Sequence, residues 1–325
     1  MRAFVTGGTG FVGSHLVEEL LRRGYDVRAL VRSDPRWLEG LPVERVTGDV
    51  TQIGARASEM EGADVVFHVA GLTRAPDPDL LHRANVDGTL ALLDAAEAAG
   101  VPRVLVTSSL AAAGPSPGRP LTEDDPPHPI SHYGASKAAM ERAIAARRAE
   151  GRGPEVVVVR PPPVYGPREA DIYTVVRAAA RRRVFPIVGD GERERLDLVH
   201  VRDLVRGMID AAESEGTGGE TYFLGGPRPY TWGEVREAVA AALGHGLVRV
   251  NVPRALVVPA GAAVEGAARL LGRYPPLNRE KAREAKASWV VSSEKARAAF
   301  GYAPEIGVEE GMRETIAWYR AHGWL

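Results

Sequence analysis

The sequence predicts an α/β chain: a doubly wound parallel sheet with a smaller α+β lobe interleaved with it. Three observations lead there. Strand-like runs at 26–31, 43–47, 64–69, 103–107 and 155–160 alternate with helical stretches at 14–23, 80–99 and 133–150. Such alternation builds βαβ units and a parallel sheet. The strand runs are apolar on both faces, as strands are when helices cover both sides. Finally, a glycine run follows the first strand directly.

That strand is Arg2-Ala3-Phe4-Val5-Thr6, and the run after it is Gly7-Gly8-Thr9-Gly10-Phe11-Val12-Gly13. Leu16, Val17, Leu20 and Leu21 then repeat at helical spacing. Strand, glycine turn and helix form a phosphate cradle. Glycine lets backbone approach a pyrophosphate, and the helix N-terminus offers free N–H groups and positive dipole. The spacing fits either Gly8/Gly10/Gly13 or Gly7/Gly10/Gly13.

The chain has 325 residues, a formal net charge of −1 and no cysteine. The length allows a large core and two lobes. The charge balance predicts no nucleic-acid partner, and the missing cysteines exclude disulfides and cysteine–zinc sites. No metal site is expected. Without a signal-peptide pattern the expected location is cytoplasmic. The most apolar stretch runs from Ala255 to Leu271. It contains Pro259, Gly261, Glu265, Gly266 and Arg269, so it is expected to be a core or lid helix in preference to a membrane-surface helix, and not a membrane span.

After about residue 165 the rhythm changes. Helical pieces at 172–183, 201–213, 232–243 and 308–322 mix with a short strand at 221–224. The expected division is a dinucleotide-binding domain over 1–165, rejoined by roughly 195–225, with 166–325 mainly a substrate lobe. The proline-rich, acidic stretch 114–129 is expected to be an ordered loop over the site.

Tyr133 and Lys137 carry the chemistry. Tyr-x-x-x-Lys puts both on one helix face, a turn apart. A phenol has a reference pKa of about 10. A neighbouring ammonium favours the phenolate and draws the group toward acid/base work near neutral pH.

These features resemble the extended short-chain dehydrogenase/reductases, often labelled NAD-dependent epimerase/dehydratases. Further marks are Gly48-Asp49-Val50, His68-Val69-Ala70-Gly71, Asn85-Val86-Asp87-Gly88-Thr89 and Thr107-Ser108-Ser109 with Gly114. The rest are Arg160 to Pro167, His200 to Leu204, and Trp318-Tyr319. The resemblance covers nearly the whole chain and implies a Rossmann-type enzyme. It implies Tyr133 as proton donor or acceptor and Lys137 as the group that lowers its pKa and holds the nicotinamide ribose. Ser109 lies five residues before Gly114, where the family places a hydroxyl that polarises the substrate oxygen. Gly7, Gly10, Phe11, Val12 and Gly13 are implied around the pyrophosphate. Asp49 and Val50 are implied at the adenine, and Ala70 and Pro163 elsewhere along the cofactor. The family's usual dimer pairs the helices that here run from Leu80 to Ala99 and from Tyr133 to Glu150, so a homodimer is expected. Asn85 either orients a proton relay or ties helix to strand, with the tie favoured. His200 and Asp203 are expected to be structural.

NAD-preferring relatives place an acid at the end of the second strand for the ribose 2′-hydroxyl. Here Val31 stands there, followed by Arg32 and Ser33. The run resembles NADP-using dihydroflavonol reductases, and NADP is favoured over NAD.

Family chemistry is carbonyl reduction or alcohol oxidation, nucleotide-sugar epimerisation, or dehydration. Dehydratases carry an Asp-Glu pair after the catalytic hydroxyl, where this chain has Leu110-Ala111. Sugar-nucleotide enzymes place asparagine before the Tyr-Gly-Pro turn, where Pro163 stands. They also place a diphosphate-binding arginine where Leu196 stands. Arg168, Arg193 and Arg195 are possible substitutes. The branch most similar holds dihydroflavonol reductases, 3β-hydroxysteroid dehydrogenase-like proteins and hopanoid-associated epimerase-like proteins. The leading expectation is an NAD(P)-dependent oxidoreductase acting on a carbonyl or alcohol of a non-nucleotide, partly apolar small molecule. A nucleotide-sugar epimerase comes second, and a non-catalytic NADP-binding or sensing protein third. Thr73, Ser109, Tyr165, Arg168 and Arg195 are the expected substrate residues.

Overall fold

The computed structural model describes residues 1–189, 191–270 and 278–325. Its frame is a seven-stranded sheet, ordered Thr221–Phe223, Glu155–Arg160, Arg103–Thr107, Val65–His68, Arg2–Thr6, Asp26–Val31 and Glu44–Thr47. Every neighbouring pair is parallel. Val, Leu and Phe point to both faces of these strands, so both faces are covered. Helices Phe11–Arg22 and Val201–Glu213 cover one face through Leu16, Leu20, Leu204 and Met208. Helices Gly88–Ala98 and His132–Ala149 cover the other through Leu92, Leu93, Met140 and Ile144. Each fully buried side chain of this size stabilises the fold by about 1.5–3 kcal/mol.

Strand order reverses between Arg2–Thr6 and Val65–His68, and ligands of such sheets bind in the crevice beyond the strand ends there. Buried His68 bridges that gap. Its Nδ1 lies 2.7 Å from Thr6 Oγ1 and its Nε2 lies 2.9 Å from Thr89 Oγ1. Burial, with Lys137 nearby, pushes its pKa down to about 3, so the ring is neutral.

The lobe has its own core, built by Val176, Phe185, Leu196, Tyr230, Val239 and Ile316 among others. Two small sheets frame it. Val184–Val188 and Val248–Val252 pair in parallel, and Arg195–Asp197 and Pro229–Thr231 pair antiparallel. Asp203 ties lobe to sheet by accepting from the Glu305 and Ile306 N–H groups at 3.0 and 2.8 Å.

Two expected elements differ. The single helix expected over 80–99 is three pieces: Pro78–His82, a π-helical turn Arg83–Asp87, and Gly88–Ala98. The wide turn buries Asn85, and π-turns inside helices often mark functional positions. The stretch 255–271 forms helix Arg254–Leu270, with Leu271 outside the described residues. It is not a core helix: across 254–266 only Val257 and Gly261 are buried. Among the described residues no helix is long and apolar enough to cross a membrane.

Candidate active site

Three glycines shape the loop after the first strand. Gly7 has φ +76°, and a Cβ there would lie 2.6 Å from the Ala70 nitrogen. A Cβ on Gly13 would lie 2.1 Å from the Gly7 carbonyl oxygen. Gly10 donates to that same carbonyl at 3.0 Å and caps helix Phe11–Arg22. A Cβ on Gly8 would make only ordinary contacts, the closest 3.4 Å from a Val17 methyl. The working set is therefore Gly7/Gly10/Gly13. The helix has no side-chain cap and no acid in its first turn, so its N–H groups and dipole stay available to an anion. This cradle fits a dinucleotide pyrophosphate.

Asn85 serves as a tie. Its Oδ1 accepts from the Leu72 N–H at 2.8 Å, and its Nδ2 donates to the Leu72 carbonyl at 2.9 Å and to Ser136 Oγ at 3.0 Å. It pins the chain after the fourth strand onto helix His132–Ala149.

That helix starts at the Ser131 cap, whose hydroxyl accepts from the Gly134 N–H at 3.2 Å. A Cβ on Gly134 would lie 2.3 Å from the Ala111 carbonyl oxygen. Only glycine lets the helix start so close to the segment after Ser109, and Tyr133 precedes it. Tyr133 and Ser109 line the same cleft. Burial pushes the Tyr133 hydroxyl above its ordinary value, the Ser109 hydroxyl pulls it down, and the Glu284 carboxylate pushes it up. The sequence led us to expect a phenol lowered by Lys137. The direction is upward instead, because burial outweighs the rest. Lys137 donates to the Thr107 carbonyl at 2.8 Å. Burial brings its pKa down to about 8, with the Glu141 carboxylate opposing. Glu141 is held in turn by Arg160 at 2.6 and 2.9 Å and by the Ser108 hydroxyl.

Glycine loop, Ser109, Tyr133, Lys137 and Pro163 all line one cleft of about 1460 Å³. Thr73 lines it too. Its far wall is apolar: Ile172, Val176, Phe185, Leu196, Trp232 and Val239. Besides Lys137, four cations on the lining face carboxylates, Arg36 and Arg74 in exposed pairs and Arg168 and Lys281 at hydrogen-bond distance. Arg36 faces Asp34 at 3.7 Å, Arg74 faces Asp171 at 3.1 Å, Arg168 faces Glu18 at 2.6 Å and Lys281 faces Glu284 at 2.8 Å.

Two expected substrate residues, Tyr165 and Arg195, need correction, and a third, Arg168, stands on the lining with partners of its own. Tyr165 is fully buried, and its hydroxyl donates to the Gly307 carbonyl at 3.0 Å. It supports the lobe and does not line the cleft. Arg195 precedes Leu196 on a strand, where successive side chains point to opposite faces. Leu196 faces the cleft, so Arg195 faces away. Arg168 reaches the cleft but spends its guanidinium on Ser14 and Glu18 and lies 5.0 Å from the Trp37 ring centroid. The sequence pointed to 164–196 as a stretch of cleft wall, where Ile172, Val176 and Phe185 stand, but missed Trp37 and Arg36, which nothing in local spacing points to the cleft.

At the cofactor's outer end, Arg32 is exposed and lies 3.9 Å from Asp49. Asp49 accepts from the Thr51 N–H at 2.9 Å and hydroxyl at 2.8 Å. Those bonds, with Arg32, hold its carboxyl below the usual range. Ser33 and Ala70 lie on the loops after the second and fourth strands of the sequence, and Val50 opens the 3-10 segment Val50–Met60 after the third.

Residues 3–225 match the family model for the NAD-dependent epimerase/dehydratase family, and the chain belongs to that family. It is an enzyme, an extended short-chain dehydrogenase/reductase that uses a nicotinamide cofactor. It is 34% identical to a ceramide reductase of Caulobacter vibrioides over 335 residues, covering 99% of this chain and 95% of that one. It is 36% identical over 311 residues to a 4-hydroxy-2-methyl-3-oxo-4-farnesyl-3,4-dihydroquinoline-1-oxide ketoreductase of Stigmatella aurantiaca, covering 87% and 90%. Among solved structures, MoeE5 in complex with UDP-glucuronic acid and NAD superposes with a TM-score of 0.78 at 27% identity, covering 99% of this chain and 100% of that one.

Proposed function

We propose that this enzyme is an NADPH-dependent reductase of an apolar ketone. The nicotinamide supplies the hydride when bound. Tyr133 donates the proton to the substrate oxygen, and Ser109 polarises that oxygen from the same side. Lys137 holds the nicotinamide ribose and keeps positive charge beside the phenol. Gly7, Gly10 and Gly13, with Phe11 and Val12, hold the pyrophosphate. Asp49 and Val50 meet the adenine, and Arg32 and Ser33 meet the 2′-phosphate.

One observation carries the substrate class. Arg36, Arg74, Arg168 and Lys281 on the cleft lining all face carboxylates, and the wall opposite is aliphatic and aromatic. A diphosphate bound there would lose its water and would have to draw a guanidinium away from a carboxylate. An acyl or isoprenoid chain loses only unfavourable hydration. Relatives named for a ceramide and for a farnesyl quinoline support this reading. The likeness to MoeE5 supports the epimerase as second reading, since that protein holds a UDP-sugar in the same fold.

We also propose a homodimer through helices Gly88–Ala98 and His132–Ala149, where small residues Ala91, Ala139 and Ala143 allow close approach, and a cytoplasmic location. Calorimetry with UDP-glucose and UDP-glucuronate in the presence of NADP tests the substrate class. Binding at millimolar or weaker affinity is expected. Micromolar binding would promote the epimerase.

A further inference from the structure

Large apolar side chains are not exposed at random. Seven are exposed among the described residues. Leu72 and Val175 line the cleft, and Val248, Val250, Leu256 and Val264 fall within 248–264. Only Met1 lies elsewhere. Val248 is 64% exposed and Leu256 57%.

The small lobe sheet explains the first pair. Val248 and Val250 stand in register with Val184 and Pro186 on the neighbouring strand. Phe185 and Ile187 alternate with those residues and point into the lobe core. Pro186, Val248 and Val250 therefore share the outward face. The chain then enters helix Arg254–Leu270.

Charge on these segments is mostly of one sign. Residues 177–189 and 248–270 hold Arg177, Arg181, Arg182, Arg183, Arg249, Arg254 and Arg269 against one acid, Glu265, in a chain of net charge −1. Arg254 pairs with Glu194. Arg181, Arg182 and Arg183 close helix Ala170–Arg182 and its left-handed cap. They have no carboxylate partner among the described residues.

We propose that this face, the outer side of the two-stranded sheet with the adjoining helix Arg254–Leu270, docks the enzyme on an anionic lipid surface. Apolar side chains flanked by Arg181, Arg182 and Arg183 suit a bilayer whose headgroups carry negative charge. A second copy of the chain fits less well, because a self-complementary contact would set these arginines against one another with only Glu265 to oppose them. The face also rides on the walls of the cleft. Helix Ala170–Arg182 contributes Ile172 and Val175 to the lining. Gly261 of helix Arg254–Leu270 packs on Ala282 of helix Arg279–Glu284, which contributes Lys281 and Glu284. Docking would bring the cleft to the phase where an apolar ketone resides. That purpose rests on the substrate reading above; the surface itself does not.

Co-sedimentation of the full chain with vesicles tests the proposal. Vesicles of phosphatidylcholine with phosphatidylglycerol should retain the enzyme, phosphatidylcholine alone should not, and high salt should release it. Arg181→Glu/Arg182→Glu and Val248→Asp/Val250→Asp should each lower retention roughly tenfold or more. Both variants should keep wild-type turnover on a short, water-soluble ketone, which also shows that they fold. No retention on anionic vesicles at low salt, or retention unchanged in both variants, would overturn the proposal. So would light scattering in which Val248→Asp/Val250→Asp halves the particle mass, since the face would then join two copies. Failure of turnover on every ketone, with retention intact, would count against the reductase reading alone.

Discussion

Lys137 donates to the Thr107 carbonyl at 2.8 Å, and this bond ties the helix that presents Tyr133 to the strand end that presents Ser109. The three groups proposed to be catalytic, from two elements, are held as one unit. Lys137→Met should cut both turnover and cofactor affinity. Measured kcat and the NADPH dissociation constant should both worsen, and a change in only one would separate the two roles.

Tyr133→Phe removes the proton-donating hydroxyl and keeps the ring. The expected fall in kcat is roughly 10²–10⁴, the usual share of a general acid. NADPH binding, followed by fluorescence, should stay within a few-fold of wild type.

The Lys137 pKa, brought down to about 8 by burial, sets a pH limit. The ammonium is present below that value and is lost as pH rises through it. The free enzyme's kcat/KM for reduction should therefore decline above about pH 8. A plateau to pH 10 would show that the charge on Lys137 is dispensable.

His68 gives a stability prediction. Its folded pKa, about 3, lies below the ordinary histidine value. The unfolded chain thus binds more protons between about 3 and 6.5, and this group's contribution is full above that window and lost as pH falls through it. His68→Asn should lower Tm at pH 7, and its gap to wild type should narrow toward pH 4.

Gly13→Ala should abolish cofactor binding, because its Cβ would stand 2.1 Å from the Gly7 carbonyl oxygen, a backbone atom. Gly8→Ala should bind nearly as wild type. A cofactor titration of both separates the two glycine spacings that the sequence permits.

Much of this was legible in the sequence. Helices Val201–Glu213 and Trp232–Leu243 and strand Glu155–Arg160 fall where periodicity puts them. Helix Phe11–Arg22 begins three residues before the expected stretch 14–23, since Gly10 rather than the apolar pattern sets its start. The π-turn at Arg83–Asp87 was not legible, because its i→i+5 bonding leaves no periodic trace. Nor was the choice of wall residues within 164–196. Leu196 faces the cleft and Tyr165 does not because the lobe packs against the sheet, a long-range relationship that local spacing does not record. Strands Val184–Val188 and Val248–Val252 pair across some sixty intervening residues and were missed for the same reason.

Arg32, exposed and facing Asp49 at 3.9 Å, is free to turn toward a 2′-phosphate. Solvent and Asp49 weaken the contact, so Arg32→Ala should cost NADPH about 1.5 kcal/mol, near tenfold in affinity, and leave NADH unchanged. Parallel titrations with both cofactors check this, and a wild type that binds NADH more tightly would contradict it.

The central claim is hydride transfer to an apolar ketone in a cleft whose lining arginines, among the described residues, all face carboxylates. The most direct measurement is NADPH consumption against a series of ketones of increasing acyl length, beside UDP-glucose and UDP-glucuronate. The account predicts that KM falls as the chain lengthens, that Tyr133→Phe abolishes turnover throughout the series, and that neither nucleotide sugar is altered. No consumption with any ketone, together with epimerisation of a UDP-sugar at constant NADPH, would contradict it.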